Sequence, residues 1–475
     1  MLKLFGKTKF NGGFTPLNTL CSAAKNRIYL RSNILPLASQ VKSTSTQAGS
    51  TDKTSIKPAT RVGKAELDVW TMFNMAATEF EAVNLGQGFM NFPARDFVKE
   101  AARSAILDDA CNQYAPPRGR PRLRNALAKA YGGLFERSLH ADSEILVTAG
   151  GNEGLLSIFM AYLDPGSEVI LMEPAFDQYM PNITMAGAIP VFVPLKPREG
   201  VDPTTSNISS KDWVLDIEEL KSKITSRTKI IVLNTPHNPI GKVFSRGELE
   251  ALGKVAEEHN LLIVSDEVYD RLVFDDQEHI PIATIPGLWE RTLTVASAGK
   301  AFGVTGWRVG WVIGPEKLVS PALATHTRIV FCVSSPMQEG IASAFEQAET
   351  NEFFDQQRED YINRRNKLTS AFDAVNLPYT IPQGSYFLLV NAERLLKKIP
   401  DDYPFPEHIT ARGKNYELCY FFTREIGVSC IPPTEFYCEE DRHLAENYVR
   451  FAFCKTDDIL DEAAKRLLKV NKWLN

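Results

Sequence analysis

Six short apolar runs, separated by amphipathic stretches, dominate the middle of the chain. They read, in order, EILVTAGG, EVILMEP, IPVFVPL, TKIIVLNTPHNP, LLIVSDE and TLTVASAGK. Their apolar residues are nearly continuous instead of alternating, which is typical of strands covered on both faces. Helical patterns such as NEGLLSIFMAYL and RGELEALGKVAEEHN stand between them. Strands that alternate with helices predict right-handed crossovers and a mostly parallel central sheet, which is an α/β fold.

The pattern changes after about residue 336. Residues 337–376 predict one or two helices, and YFLLV and YVRFAF predict short strands among further helices. A chain of 475 residues is long enough for two domains with separate cores. We predict a leader and flexible linker over residues 1–58 and an N-terminal arm, or part of a small domain, over 59–94. A large domain follows over 95–345, and a small α+β domain over 346–475.

Composition excludes several classes of protein. The net charge of −5 comes without a cluster of Lys and Arg in the folded part, so we expect no nucleic-acid partner. The apolar runs are far shorter than the roughly 20 residues that a membrane-spanning helix needs. The seven cysteines form neither a CxxC pair nor a zinc-like spacing. We therefore expect no metal site, no disulfide framework, and mostly buried thiols in a reducing compartment.

The first 51 residues are basic and contain no acid. They hold seven bases, whereas the remaining chain carries 46 bases against 58 acids. A basic, acid-free segment rich in Ser, Thr and Asn predicts a mitochondrial transit peptide and delivery to the matrix, with the cytoplasm as a second location. The alternative is a tail that carries no address. Residues 43–60 then contain nine Ser or Thr and no aromatic residue, which is typical of a flexible linker.

Polar residues follow the apolar runs at the points where the predicted strands end. Ligands of open α/β sheets collect at the carboxyl ends of the strands, so these residues are expected to converge on one edge. They are Gly150 and Gly151 after the first run, Asn238 after the fourth, Asp266 and Tyr269 after the fifth, Ser297 and Lys300 after the sixth, and Arg308 one short loop later.

Part of this set suits a phosphate dianion. The start of a helix at Gly151 and Asn152 offers free N–H groups, and Ser297 and Arg308 add a hydroxyl and a guanidinium. GGNEG is not a GxGxxG dinucleotide signature, because its second glycine is adjacent to the first and no acidic residue follows at the required spacing.

The rest of the set offers an acid and an amine. Pyridoxal phosphate (PLP) needs a lysine that forms a Schiff base and an acid beside its pyridinium nitrogen, roles that suit Lys300 and Asp266. Asn238 and Tyr269 could then hold the phenolic oxygen. Each residue alone also has a structural interpretation: Asp266 as a helix cap, Asn238 as a turn residue, Tyr269 as core, and Lys300 or Arg308 on the surface. Their order and strand-end placement favour the PLP site.

The chain resembles a known family from about Val62 to Asn475. SAGKAFGVTGWRVGW, NTPHNPIGKVFSR, VSDEVYD and VNLGQGF are similar to segments of class I aminotransferases of PLP fold type I. EPAFDQY, IPQGSYF and YVRFAFCK resemble the kynurenine aminotransferase branch, also known as glutamine transaminase K or cysteine-S-conjugate β-lyase. The resemblance implies a PLP-dependent homodimer that converts amino-acid and 2-oxoacid substrates, with kynurenine and 2-oxoglutarate as the expected pair.

The same resemblance assigns a role to each matching residue. Lys300 would form the imine and move the substrate proton, Asp266 would pair with the pyridine nitrogen, and Asn238 and Tyr269 would bind the phenolic oxygen. The other expected roles are ring stacking for Phe176, phosphate binding for Gly151, Asn152, Ser297, Arg308 and Tyr114 of the neighbouring subunit, and substrate binding for Gly88, Trp70, Asn238 and Arg450. Phe176 and Trp70 have a core residue as the alternative.

Arg450 also follows from chemistry. Every amino-acid or oxoacid substrate carries a carboxylate beside the reacting carbon, and a planar guanidinium binds it through two parallel hydrogen bonds. Along RFAF, Arg450 lies on the face of the strand opposite to Phe451. The alternative is an arginine on a surface strand.

Three departures from the branch concern the substrate end of the site. Alanine stands at position 301 where the branch often has threonine, Asn152 stands where an aromatic residue is common, and Phe331-Cys332 replaces a Phe-His pair. They leave the cofactor chemistry intact and the amino donor open. Two rival functions are β-elimination on cysteine S-conjugates, revealed by release of pyruvate and ammonia without an oxoacid, and a catalytically silent scaffold, revealed by the lack of imine absorbance.

Overall fold

The central sheet of the protein has seven strands. In the computed structural model, which describes residues 57–62 and 67–474, the predicted leader and nearly all of the linker lie outside the described residues. The strands are β1 Ile145–Thr148, β2 Glu168–Glu173, β3 Ile189–Pro194, β4 Thr228–Asn234, β5 Leu262–Asp266, β6 Thr292–Ser297 and β7 Gly310–Ile313. The first six coincide with the six apolar runs.

The spatial order of the strands is β1-β7-β6-β5-β4-β2-β3. The strands from β6 to β3 pair in parallel, whereas β7 pairs antiparallel with both β6 and β1. Six strands therefore run in one direction and β7 in the other. This confirms the expected α/β fold with a mostly parallel sheet, to which the structure adds β7.

Sixteen α-helices accompany the strands within the described residues. They are α1 Val69–Glu79, α2 Asp96–Leu107, α3 Pro121–Gly132, α4 Gly151–Tyr162, α5 Tyr179–Met185, α6 Ile217–Ser222, α7 Arg246–Glu258, α8 Ala298–Ala301, α9 Glu316–Ile329, α10 Ser335–Ala348, α11 Phe353–Asp373, α12 Glu393–Leu396, α13 Glu407–Thr410, α14 Lys414–Phe421, α15 Asp457–Leu467 and α16 Asn471–Leu474. Where one or two helices were expected over residues 337–376, the structure has two, α10 and α11.

Both faces of the central sheet are buried, as the apolar runs predicted. Side chains alternate along β7: Trp311 packs with residues of α3 and α10 on one face, and Val312 packs with residues of α4 and α9 on the other. Because helices cover both faces, only the edges and ends of the strands remain for binding.

A second sheet lies in the C-terminal part of the chain. Its strands β8 Tyr379–Ile381, β9 Phe387–Asn391 and β10 Tyr448–Ala452 pair antiparallel, and residues 208–209 add a short parallel strand. Residues of α11, α14 and α15 contribute to the same core. This matches the expected α+β pattern, while the domain boundaries after residues 58, 94 and 345 stay a prediction.

Two further expectations concern sequence composition. The described residues include six cysteines, all of them free, and four of these are buried. Within residues 57–62 and 67–474, none of the helices combines the length and apolar character that a membrane span requires.

Candidate active site

The carboxyl ends of the parallel strands open onto a cavity of ≈ 170 Å³. Nine residues that the sequence singled out contribute to its lining: Gly151, Asn152, Phe176, Asn238, Asp266, Tyr269, Ser297, Lys300 and Arg308. Leu155, Tyr179, Asn234 and Val268 complete it. Parallel strands bring residues that are far apart in sequence to one edge, so the expected convergence is observed. The individual roles stay predictions.

Lys300 lies on α8, the short helix that begins directly after β6. Its Nζ donates hydrogen bonds to the Tyr386 hydroxyl at 2.6 Å and to the Gly88 carbonyl at 3.3 Å. Tyr386 in turn donates to the same carbonyl at 2.6 Å. Burial lowers the pKa of the Lys300 amine to about 8, although Asp266 and Cys454 oppose the shift. A substantial fraction of the amine is therefore neutral near physiological pH, as a nucleophile must be.

Replacing Lys300 by methionine is expected to stabilise the cofactor-free protein at pH 7. The pKa of the amine is about 8 in the folded protein and near 10.5 in the unfolded chain, so below pH 8 the charge on this partly buried side chain costs at most about 3 kcal/mol. This cost disappears as the pH rises towards 10.5. Thermal unfolding should therefore show a Tm higher by a few degrees for Lys300→Met at pH 7, with most of the difference gone at pH 10. An unchanged difference at both pH values would contradict the shift.

Asp266 ends β5 as a buried carboxylate. Its Oδ2 accepts a hydrogen bond from the Tyr179 hydroxyl at 2.6 Å, and its Oδ1 accepts one from the Val268 N–H at 3.3 Å. Burial raises the pKa of Asp266 to about 6, against the effect of these two hydrogen bonds. Within the described residues no cation lies at ion-pair distance from it. A buried carboxylate without a counter-ion is suited to pair with a cationic ring nitrogen.

The predicted phosphate site consists of Gly151, Asn152, Ser297 and Arg308. Gly150, just before α4, has φ +85°, and a Cβ there would collide with the Arg308 guanidinium. Arg308 itself holds the left-handed conformation at φ +53° and donates to the carbonyls of Thr305 and Ala149. No carboxylate pairs with this guanidinium among the described residues. The helix N-terminus and this cation therefore suit a phosphate.

Arg450 lies on β10 with only 1% of its surface exposed. Its Nη1 donates to Asn238 Oδ1 at 3.2 Å and its Nη2 to the Gly86 carbonyl at 2.8 Å, while its buried Nε has no partner. The described part of the chain places no carboxylate at ion-pair distance. Burial lowers the pKa of Arg450 to about 10, so it stays charged at neutral pH. A buried guanidinium without a counter-ion is a strong candidate for binding an anion.

Aromatic rings surround the Arg450 guanidinium. Its central carbon lies 4.2 Å from the ring centre of Phe387 and 5.1 Å from those of Phe436 and Trp70. The Trp70 indole N–H donates to Asp177 at 2.9 Å, so the ring is held in place. The expected substrate residues Trp70 and Arg450 therefore lie side by side.

Gly88 lies inside the site, whereas Tyr114 lies on the surface of its own chain. Gly88 lies beside Lys300, and a Cβ there would contact the Phe387 ring at 2.8 Å, so glycine permits this close approach. Tyr114 is 84% exposed and does not line the cavity of its own chain. Its ring packs edge-to-face on that of Phe331 at 5.3 Å.

Sequence reasoning missed several residues of the site. Tyr386, Tyr179, Asn234 and Phe387 were not assigned a role, although Tyr386 and Phe387 stand in IPQGSYF and Tyr179 ends EPAFDQY. Asn234, the last residue of β4, binds the Asn238 N–H at 2.8 Å and the Asp266 carbonyl at 2.9 Å. Its position at a strand end was an available signal.

The fold and the site together define a class of protein. The chain matches the family "Aminotransferase class I and II" over residues 81–467 and belongs to it. This family is PLP-dependent, and the chain is accordingly a transaminase.

Individual relatives are similar to this chain over most of its length. The chain is 44% identical to the Saccharomyces cerevisiae protein named "Probable kynurenine--oxoglutarate transaminase BNA3", over 86% of this chain and 93% of that protein. It is 38% identical to human "Kynurenine--oxoglutarate transaminase 1", over 87% and 98%. The crystal structure of Bna3p from Saccharomyces cerevisiae superposes with a TM-score of 0.83 at 44% identity, over 86% of this chain and 97% of that one. Aspartate aminotransferase from Thermus thermophilus gives 0.74 at 30%, over 87% and 100%.

Proposed function

We propose that the protein is a PLP-dependent transaminase that takes kynurenine as amino donor and 2-oxoglutarate as acceptor. The observation that carries the proposal is Arg450, a fully buried guanidinium that shares Asn238 with the cavity containing Lys300. A carboxylate bound there would place the α-carbon of an amino acid near the lysine amine. The names of the relatives supply the particular substrates.

The residues around the cavity fit the cofactor. Lys300 would hold PLP through its Nζ, Asp266 would face the ring nitrogen, and Asn238 and Tyr269 would face the phenolic oxygen. Phe176 would stack on the ring. The predicted phosphate site, together with Tyr114 of the neighbouring subunit, would hold the phosphate group of the cofactor. When bound, PLP supplies an electron sink that stabilises negative charge on the substrate α-carbon.

The chain's own residues perform the remaining tasks. Arg450 orients the substrate by its carboxylate, because a guanidinium that already lies buried against Phe387 and Gly86 has little freedom to lose. The Lys300 amine moves the proton at the substrate α-carbon as a general base and acid. Tyr386 holds that amine through a hydrogen bond of 2.6 Å. Trp70, Phe387 and Phe436 supply an apolar wall that suits an aromatic side chain.

A panel of amino donors tests the proposed substrates. With 2-oxoglutarate present, kynurenine should yield glutamate and an oxoacid that closes spontaneously to kynurenate, with kcat/KM at least about tenfold above that of aspartate. Phenylalanine and glutamine serve as donors of similar size. A panel in which kynurenine gives no kynurenate while other donors react would contradict the substrate and keep the transaminase. Pyruvate and ammonia from a cysteine S-conjugate without an oxoacid would instead indicate β-elimination.

A homodimer is part of this proposal. The exposed aromatic pair of Tyr114 and Phe331 supports it, because large exposed rings in contact mark interaction surfaces. Sedimentation of the purified enzyme should give twice the mass of the chain, and Tyr114→Ala should weaken PLP binding. A fully active monomer would contradict this assembly.

Location in the mitochondrial matrix is the last part. The seven bases and no acid of residues 1–51 support it. Imaging a reporter fused to residues 1–60 tests it: a mitochondrial signal is expected, and a diffuse cytosolic signal would contradict it.

A further inference from the structure

A buried histidine–glutamate pair lies behind the phosphate site. Glu153 is the third residue of α4, directly after Asn152, and His326 lies near the end of α9. The Nδ1 atom of His326 is 3.0 Å from both carboxylate oxygens of Glu153. The His326 side chain is 0% exposed and that of Glu153 is 10% exposed. The buried Nε2 of His326 has no hydrogen-bond partner. Neither side chain lines the cavity or takes part in the proposed reaction.

Glu153 also binds the turn that forms the phosphate site. Its Oε2 accepts a hydrogen bond from the Ala149 N–H at 2.9 Å, and its Oε1 accepts one from the Ser157 hydroxyl at 2.5 Å. The Ala149 carbonyl accepts a hydrogen bond from Arg308 at 3.4 Å, and a Cβ on Gly150 would collide with the same guanidinium. The carboxylate therefore fixes the short segment against which Arg308 and the first N–H groups of α4 are arranged.

His326 gives this carboxylate a second anchor and a compensating donor. A carboxylate in the first turn of a helix interacts favourably with the helix dipole. It also repels a dianion bound at the same N-terminus. A ring N–H that points at the carboxylate spreads part of its negative charge away from the phosphate site. Because His326 belongs to α9, the contact also ties the position of α4 to a second helix.

We infer that Glu153 and His326 form a positioning pair that holds the phosphate site in the arrangement required to bind the phosphate of PLP. The inference rests on the proposed function and concerns one part of the cofactor. Loss of either side chain is expected to weaken recognition of the phosphate specifically, since neither residue lies at the ring. Neither is a catalytic residue, because both would act on the cofactor only indirectly, through Ala149 and the first residues of α4.

Comparison of PLP with pyridoxal, which lacks the phosphate, tests the inference. The dissociation constants of both are measured on cofactor-free protein by imine absorbance and by quenching of intrinsic fluorescence. Glu153→Ala and His326→Gln should each raise the PLP constant at least tenfold and leave the pyridoxal constant within twofold. Glu153→Gln should recover much of the loss, because its amide oxygen still accepts the Ala149 N–H. The double variant should raise the PLP dissociation constant no further than the more damaging of the two single substitutions does, because both remove the same contact.

His279→Gln provides a matched control. His279 is 3% exposed and its Nε2 lies 2.8 Å from Glu267, so this pair is of the same type and similarly buried, but its carboxylate binds the Ser265 hydroxyl instead of the turn that precedes α4. Its loss should leave the ratio of the two dissociation constants unchanged. If Glu153→Ala does not fold, His326→Gln carries the same test.

The outcomes separate this inference from the proposed function. Equal weakening of PLP and pyridoxal in the pair variants, or no weakening, would overturn the positioning role while the wild-type protein still bound PLP. A wild-type protein that bound neither compound would overturn the proposed cofactor and the inference with it.

Discussion

Lys300→Ala is expected to lower the rate of transamination by at least about 10⁴-fold while the cofactor still binds noncovalently. The lysine amine serves two purposes in the proposed function, since it holds the cofactor and moves the proton at the substrate α-carbon. An alanine methyl group can do neither. The other eight predicted residues that line the cavity remain in place, so the phosphate and ring contacts persist.

Borohydride reduction followed by mass spectrometry measures the covalent link separately from the rate. The wild-type protein should gain the mass of the reduced cofactor at Lys300, and the Lys300→Ala variant should not. Lys242→Met is the matched control, because Lys242 is 1% exposed but pairs with Glu248 at 2.7 Å outside the cavity. It should keep the adduct. Sustained turnover by purified Lys300→Ala protein would remove the assignment of the lysine.

Much of the fold could be predicted because buried parallel strands carry a local signal. A run such as Ile230 to Leu233 is apolar at every position, and its ends are marked by polar or turn residues. β7 carries no comparable signal. It has four residues, begins two positions after Arg308, and its place between β1 and β6 results from pairing with strands that are distant in sequence. The short strand at residues 208–209 was missed for the same reason.

The candidate site could be predicted to a similar extent and for a related reason. Asp266, Ser297 and Lys300 follow strands of one parallel sheet, and topology alone places such residues at a common edge. Tyr386 directly precedes β9 of the second sheet and contacts Lys300 across 86 positions of sequence, so no local pattern predicts the contact. Tyr179 reaches Asp266 across 87 positions from α5, a helix of seven residues that is too short for its apolar spacing to predict its orientation. These contacts depend on tertiary packing, which a single sequence does not specify.

Arg450→Ala is expected to reduce kcat/KM by about 10²- to 10³-fold for every carboxylate substrate, whether its side chain is aromatic or not. The substitution removes two charge-assisted hydrogen bonds to the substrate carboxylate and the orientation that they impose. Arg450→Lys retains a positive charge but not the planar fork, so it should recover only part of the loss. A selective loss for aromatic donors would mean that Arg450 shapes the side-chain pocket instead of binding the carboxylate.

The decisive measurement compares phenylalanine with phenethylamine, which has the same side chain and amine but no carboxylate. In single turnovers the wild-type enzyme should react far faster with phenylalanine, and Arg450→Ala should bring the two rates close together by slowing phenylalanine alone. Arg365→Ala is the control for losing a buried guanidinium, since Arg365 pairs with Asp275 at 2.7 and 2.9 Å away from the cavity. It should preserve the preference. Because a general loosening of the fold would slow both amines alike, only loss of the carboxylate clamp removes the preference itself.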